Sequence, residues 1–133
     1  MALLSRDEIF AVDDLKTEEV EVPEWGGSVL VRGLTGAERD EFEATTVKVD
    51  KSGKRVPDLE NFRARLVALC TIDDKGQRLF KSRAEITALG NKSVSALQRV
   101  FDCAQRLNAM TEAKVEEIAE DFEQAPDEHS TSD

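Results

Sequence analysis

The chain reads as an α+β protein that is mainly α, with a small N-terminal β-hairpin packed on a bundle of about four to five helices. Three observations carry that reading. Residues 20–43, VEVPEWGGSVLVRGLTGAERDEFE, set two alternating apolar runs around a turn and follow them with a helix start. The spacing Ser/Thr-x-x-Glu, in which a hydroxyl and a carboxylate satisfy each other's orphan amides at a helix N-terminus, recurs at Ser5, Thr35 and Ser82. Residues are 40% hydrophobic but only 5% aromatic, with six Phe, one Trp and no Tyr, a composition that suits a helical core of Leu, Val, Ile and Ala.

Ser5 with Glu8 opens a short helix whose apolar contacts are Ile9, Phe10 and Val12, and Asp13-Asp14 breaks it. Val20 and Val22 alternate with Glu19 and Glu21, the period of a strand with one buried face. Pro23 stops that strand, Gly26-Gly27 supply the positive φ angles of a tight reversal, and Val29 and Val31 resume the alternation. Thr35 with Glu38 starts a helix from Gly36 to about Val47, with Phe42 as its core residue. KVDKSGKRVP, residues 48–57, is expected to be a solvated loop punctuated by Gly53 and Pro57.

Asp58 is expected to begin the central helix, in which Leu59, Phe62, Leu66, Leu69 and Cys70 share a stripe widened by Val67 and Ala68. Thr71-Ile72 and Arg78-Leu79-Phe80 read as two short extended pieces on either side of a turn, Asp73-Asp74-Lys75-Gly76. Ser82 with Glu85 starts the next helix, and Gly90 is placed to end it in a left-handed cap. Ser93 caps the longest helix, with Val94, Leu97, Val100, Phe101, Ala104 and Leu107 on one face and Asn108 at its end. The expected organisation is a compact domain over 1–110, an acidic amphipathic helix over 111–124 and a disordered acidic tail over 125–133.

The net charge of −10 is divided unevenly: residues 112–133 carry nine acidic residues and one Lys, residues 1–111 nineteen acidic and seventeen basic. An acidic C-terminus beside a nearly neutral body argues against nucleic-acid and anionic-membrane partners. No apolar run approaches the roughly twenty residues of a membrane span. MALLSRDEIF turns charged too early for a secretory signal, so a cytoplasmic protein is expected. Cys70 and Cys103 fall in apolar helical patterns and read as buried free thiols.

Reactive groups are sparse. His129, the only histidine, falls in the tail. The Asp73 turn lacks the twelve-residue ligand pattern of a calcium loop, and no phosphate-cradling or nucleophile motif occurs. Adjacent carboxylates such as Asp13-Asp14 sit on reversals, where nothing raises a pKa for acid–base work. Catalytic, metal and cofactor residues are therefore none. Two features suit recognition instead. Trp25, at the hairpin tip, either folds its ring back onto the domain or stands out as an anchor. Over 111–123, Val115, Ile118 and Phe122 form a narrow apolar stripe that either docks on its own domain or enters a partner's groove.

The hairpin block with the preceding SRDEIFAVDDLKTEE, and the later segments LVALCTIDDKGQRLF and LGNKSVSALQRVFDCAQRLNAM, resemble the tail assembly chaperones of long-tailed (siphovirus-type) bacteriophages and prophages, in the form found in phages of actinobacteria. The likeness spans most of residues 5–110. It implies a non-enzymatic protein that binds and solubilises the tape measure protein and promotes tail tube assembly around it. The tape measure and tail tube proteins are the implied partners; many members of the family are made in a short and a longer frameshifted form, and self-association is a further expectation left open by the sequence. The implied location is the host cytoplasm and not the mature virion. A structural tail or head–tail connector component retained in the virion is the alternative expectation. The charge division adds that the body binds the client while the acidic segment keeps the complex dispersed.

Overall fold

The computed structural model describes residues 2–109. The expected helix 111–124, the tail, Val115, Ile118, Phe122 and His129 lie outside the described residues. The fold is α+β and mainly α. In chain order it comprises α1 (Arg6–Ala11), β1 (Thr17–Val22), a single 3-10 turn (Pro23–Trp25), β2 (Gly27–Arg32), α2 (Gly36–Thr45), β3 (Val47–Val49) and β4 (Arg55–Pro57). It continues with α3 (Phe62–Cys70), β5 (Thr71–Ile72), α4 (Arg83–Gly90) and α5 (Val94–Leu107).

The hairpin is antiparallel, running in register from Thr17 opposite Arg32 to Val22 opposite Gly27. The alternation works as read: Val20 and Val22 point to the core while Glu19 and Glu21 face out. Of the two turn glycines only Gly26 has a positive φ, +76°; Gly27 is already the first residue of β2. Thr71-Ile72 is extended, as expected, and it forms a third strand of the hairpin sheet, a pairing that the sequence did not indicate. β5 pairs antiparallel with β2, Leu30 opposite Ile72, giving the order β1-β2-β5. Arg78 returns as a single bridge to Ile72, so only part of the expected second extended piece pairs.

Helix α5 lies across β1 and β2, and α3 packs on α5 with α2 and α4 on its flanks. The core joins Val22 and Val31 of the sheet to Leu66, Val67 and Cys70 of α3 and to Leu97, Val100, Phe101 and Ala104 of α5. Phe62 bridges Phe42, with ring centroids 5.2 Å apart, and Phe101 at 6.2 Å, both in tilted geometries that aromatic pairs favour. Cys70 and Cys103 are free and buried, as expected. Asn108 ends α5 and ties its end to the β2–α2 junction: its Oδ1 accepts the Leu34 amide at 2.6 Å, and its carbonyl accepts from Arg39.

Several expectations are corrected. The segment 48–57 is not a loop but contributes to a second, two-stranded sheet, β3–β4. Val47 and Val49 alternate around Lys48, and Asp50 Oδ1 accepts the Ser52 and Lys54 amides to close the turn at Gly53. Four cations in a short stretch concealed that pattern. Helix α3 starts at Phe62, not Asp58, because Asp58 Oδ1 takes the Glu60 amide in a local turn; Leu59 is left outside the helix and exposed. Gly90 is the last residue of α4 and not a left-handed cap, since Asn91 closes the helix at φ −89°. Val94, in the first turn of α5, is exposed: helical side chains lean toward the N-terminus, and here that carries Val94 past the packing surface. Finally, α1 has its capping box but buries nothing, and Ile9, Phe10 and Val12 face solvent.

Candidate functional site

The hairpin tip is built to present a large side chain. Pro23 presets the first φ of the 3-10 turn, Gly26 closes it in the left-handed region, and the Gly26 amide donates to the Pro23 carbonyl at 3.0 Å. Glu24 then anchors the tip to α5, accepting from Arg99 Nε at 2.9 and 3.1 Å on its two oxygens. Trp25 follows, half-buried, with part of its ring against the core and the rest open. The ring thus folds back onto the core, as one of the two readings of Trp25 has it, and its open part lines a groove.

That groove, of about 550 Å³, runs between the hairpin tip and α4. Opposite Trp25 stand Leu79 and Phe80, carried in by the turn after β5, and Ala88 and Leu89 from α4. Asp73 Oδ1 shapes the turn by accepting the Lys75 and Gln77 amides at 2.8 and 2.9 Å. Glu85 fixes the other approach by accepting the amides of Lys81 and Ser82 while Ser82 caps α4. The Phe80–Lys81 segment is thereby held against the start of α4.

Three charged groups mark the rim: Glu24, Glu85 and Lys92. The Glu24 carboxyl lies below its ordinary range because its own amide, Ser95 and Arg99 all hydrogen-bond to the charged form. Glu85 is lowered by the Lys81 and Ser82 amides. Both are therefore ionised at neutral pH and committed to structure, which leaves them poor proton donors. Lys92 has no ion-pair partner among the described residues. An apolar channel with fixed charges at its mouth suits binding of an amphipathic segment.

A second hollow, about 440 Å³, lies between the starts of α3 and α4. Its Arg65 donates to the Thr45 carbonyl at 2.6 Å and to the Asp58 carbonyl, which makes it a brace between α2 and α3. Asp58 and Glu60 line the same hollow and offset its cations. Cys103 donates to Glu18, which also pairs with Arg106. Burial, and then the Glu18 charge, push that thiol up to about 12, and burial does the same to Cys70, so neither is a thiolate at neutral pH. Among the described residues no group of three or more His, Cys, Asp or Glu is placed to hold a metal ion, and no helix is long and apolar enough to cross a membrane.

Of the residues singled out from sequence, Trp25 lies on the groove, whereas Val115, Ile118 and Phe122 lie outside the described residues. Leu79, Leu89 and Lys92 were not foreseen as companions of Trp25. The available signal was the adjacent pair Leu79-Phe80 in an extended piece, where one side chain must face away from the core. No protein-family model, curated protein sequence or solved structure matches the chain.

Proposed function

We propose that the protein is a non-enzymatic tail assembly chaperone of a long-tailed phage or prophage, which holds apolar helical stretches of the tape measure protein until tail tube subunits assemble around them. One observation carries the reading. The groove draws on all three segments that resemble such chaperones: Trp25 comes from the hairpin block, Leu79 and Phe80 from LVALCTIDDKGQRLF, and Leu89 and Lys92 from LGNKSVSALQRVFDCAQRLNAM. An apolar channel of this kind complements one face of an amphipathic client helix, with the rim charges meeting its polar flanks. Client release requires modest affinity per site, and many copies along one long client supply the avidity.

The reading is tested by co-expressing the chain with a helical tape measure segment and measuring soluble client. Trp25→Ala and Leu79→Asp are each expected to weaken capture about tenfold, a loss of about 1.4 kcal/mol at an anchor position. Thermal melts check that both variants stay folded. Undiminished capture by both would remove the groove from the function. Mass spectrometry of washed particles tests the role itself: recovery of the chain as a stoichiometric component replaces the chaperone reading with that of a virion building block.

A further inference from the structure

We propose that the free edge of β1 takes up an extended segment of a partner protein as an added antiparallel strand, the segment alternating Lys or Arg with β-branched apolar residues. β1 ends the sheet order β1-β2-β5 and pairs with β2 alone. The far side of β5 is already engaged, since Arg78 bridges Ile72 and the Leu79 amide donates to the Thr71 carbonyl at 3.1 Å. On the other side of the sheet, the Gly33 amide donates to the Lys16 carbonyl at 2.9 Å, which fixes the phase of the β1–β2 ladder. Opposed residues of an antiparallel pair exchange bonds at every second position. Glu18, Val20 and Val22 therefore bond across to β2, while Thr17, Glu19 and Glu21 turn their amides and carbonyls outward. Among the described residues nothing hydrogen-bonds to those outward groups, and such an edge is a template for another strand.

The side chains along the edge define the partner. Residues that exchange bonds across an antiparallel pair set their side chains on one face, so the row that meets an added strand's bonded residues is Thr17, Glu19 and Glu21. Both glutamates are exposed and in no ion pair among the described residues. The nearest cations along the chain and across the ladder leave that row acidic. Lys16 bonds to β2 and so falls in the other row, and Arg32, opposite Thr17, lies 3.4 Å from Glu38. Glu19 and Glu21 themselves stand opposite Leu30 and Ser28. In the other row Glu18 is satisfied by Cys103 and Arg106, and Val20 is half-buried against the core. An added strand is thus best held with cations opposite Glu19 and Glu21 and β-branched side chains beside Val20.

A second copy of β1 is a worse occupant. Full antiparallel overlap of two β1 edges sets Glu19 opposite the copy's Glu19 or Glu21, and like charges directly opposite repel. The two glutamates close the edge to self-pairing and leave it open to a strand of the opposite charge. Main-chain bonds supply the affinity in such an addition, and the alternating side chains supply the selectivity. The edge shares no residue with the Trp25 groove, so the contact stands whatever the groove holds.

The experiment combines the full chain with a short synthetic peptide alternating Lys and Val, and follows backbone amide exchange by NMR. In the free chain the amides of Thr17, Glu19 and Glu21 are expected to exchange fast and those of Glu18 and Val20 slowly. Saturating Lys-Val peptide should slow the outward set, whereas a Glu-Val peptide should leave it unchanged. N-methylation of the peptide's Lys amides, which point at β1, should weaken binding about tenfold or more, while N-methylation of its Val amides should leave binding intact. The double variant Glu19→Lys/Glu21→Lys alters two exposed side chains and should exchange the preference, taking the Glu-Val peptide and rejecting the Lys-Val one. Thermal melts check its folding, and the methylated peptides do not depend on it. Failure of the Lys-Val peptide to bind, or binding that leaves the Glu19 and Glu21 amides unprotected, overturns the proposal. So does any other pattern between the two methylated peptides; equal binding by both would reduce the contact to charge attraction. Protection of the outward amides in the free chain overturns it as well, by showing the edge already covered, from a second copy if that protection grows with concentration.

Discussion

Helices α1 and α2 begin alike and end in opposite circumstances. Each opens with a complete capping box, Ser5 with Glu8 and Thr35 with Glu38, and each lacks a basic residue in its last turn. Yet α2 buries Phe42 almost completely, whereas α1 buries nothing and leaves Phe10 in water. The difference teaches that a cap decides where a helix starts, not whether it docks. Capping satisfies local amides and contributes about 1 kcal/mol. Docking requires a surface opposite, and α2 has one in α3, whereas among the described residues α1 buries no side chain.

The comparison predicts unequal responses to truncation. Leu66 is fully buried at the junction of α3 with the core, and Leu66→Ala should cost about 2–5 kcal/mol through lost burial and the cavity left behind. Phe10→Ala removes a larger side chain but should change stability by less than about 0.5 kcal/mol. Denaturant unfolding at low protein concentration measures both. A Phe10→Ala loss approaching that of Leu66→Ala would mean that α1 is part of the core, and the contrast would collapse.

The two capping glutamates sharpen it with charge. Burial alone would raise the Glu38 carboxyl, but the Thr35 hydrogen bond and the Arg78 and Arg32 guanidiniums outweigh it and hold the group below its ordinary value of 4.5. Arg78 is 2.8 Å and Arg32 3.4 Å from the same oxygen. A carboxyl whose pKa is depressed on folding adds stability that is present above the unfolded value and lost as pH falls through the folded one. Glu38→Gln retains cap geometry but strands two cations, so it should cost about 1–2 kcal/mol at neutral pH. That difference should shrink as acid brings the wild type below pH 4.5. Glu8 is also lowered, by the Ser5 amide and hydroxyl, but it stabilises only α1. Glu8→Gln should leave the global melting temperature unchanged at every pH. A pH-independent gap for Glu38→Gln would show that its charge contributes nothing.

How much of this was legible in the residues follows from the range of the interactions. All three capping boxes were readable because the partners sit three positions apart. The hairpin and the α5 stripe were readable because their periods are local. What was missed depends on distant neighbours. Thr71-Ile72 was legible as an extended piece, but its pairing with β2 was not, since two residues carry no signal of their partner. Leu59 and Val94 fit helical stripes by spacing, but one precedes its helix and the other overhangs the body. The solvent exposure of α1 was equally invisible, since its pattern is that of a docked helix. For the site, Trp25 stood out by type and position. Its companions did not, because the groove is assembled from segments more than fifty positions apart in sequence.

The finest contrast concerns tolerance of single atoms. In α1 a phenyl ring, that of Phe10, is left largely exposed, whereas at the α3–α4 contact one methyl matters. A Cβ on Gly90 would stand 2.6 Å from Asn61 Oδ1, too close for any real contact. Asn61 itself holds a left-handed φ of +53° at the start of α3 and caps no amide there. Gly90→Ala should therefore destabilise by about 0.5–1 kcal/mol, even though the last turn of a helix ordinarily gains from that exchange. In an Asn61→Gly background the obstruction is gone, and glycine also relieves the left-handed backbone. The same Gly90→Ala change should then stabilise by about 0.5 kcal/mol, reversing sign, with the coupling read from a double-mutant cycle in urea. Equal effects in both backgrounds would show that the Asn61 side chain gives way freely, and that this contact is packed no more tightly than α1.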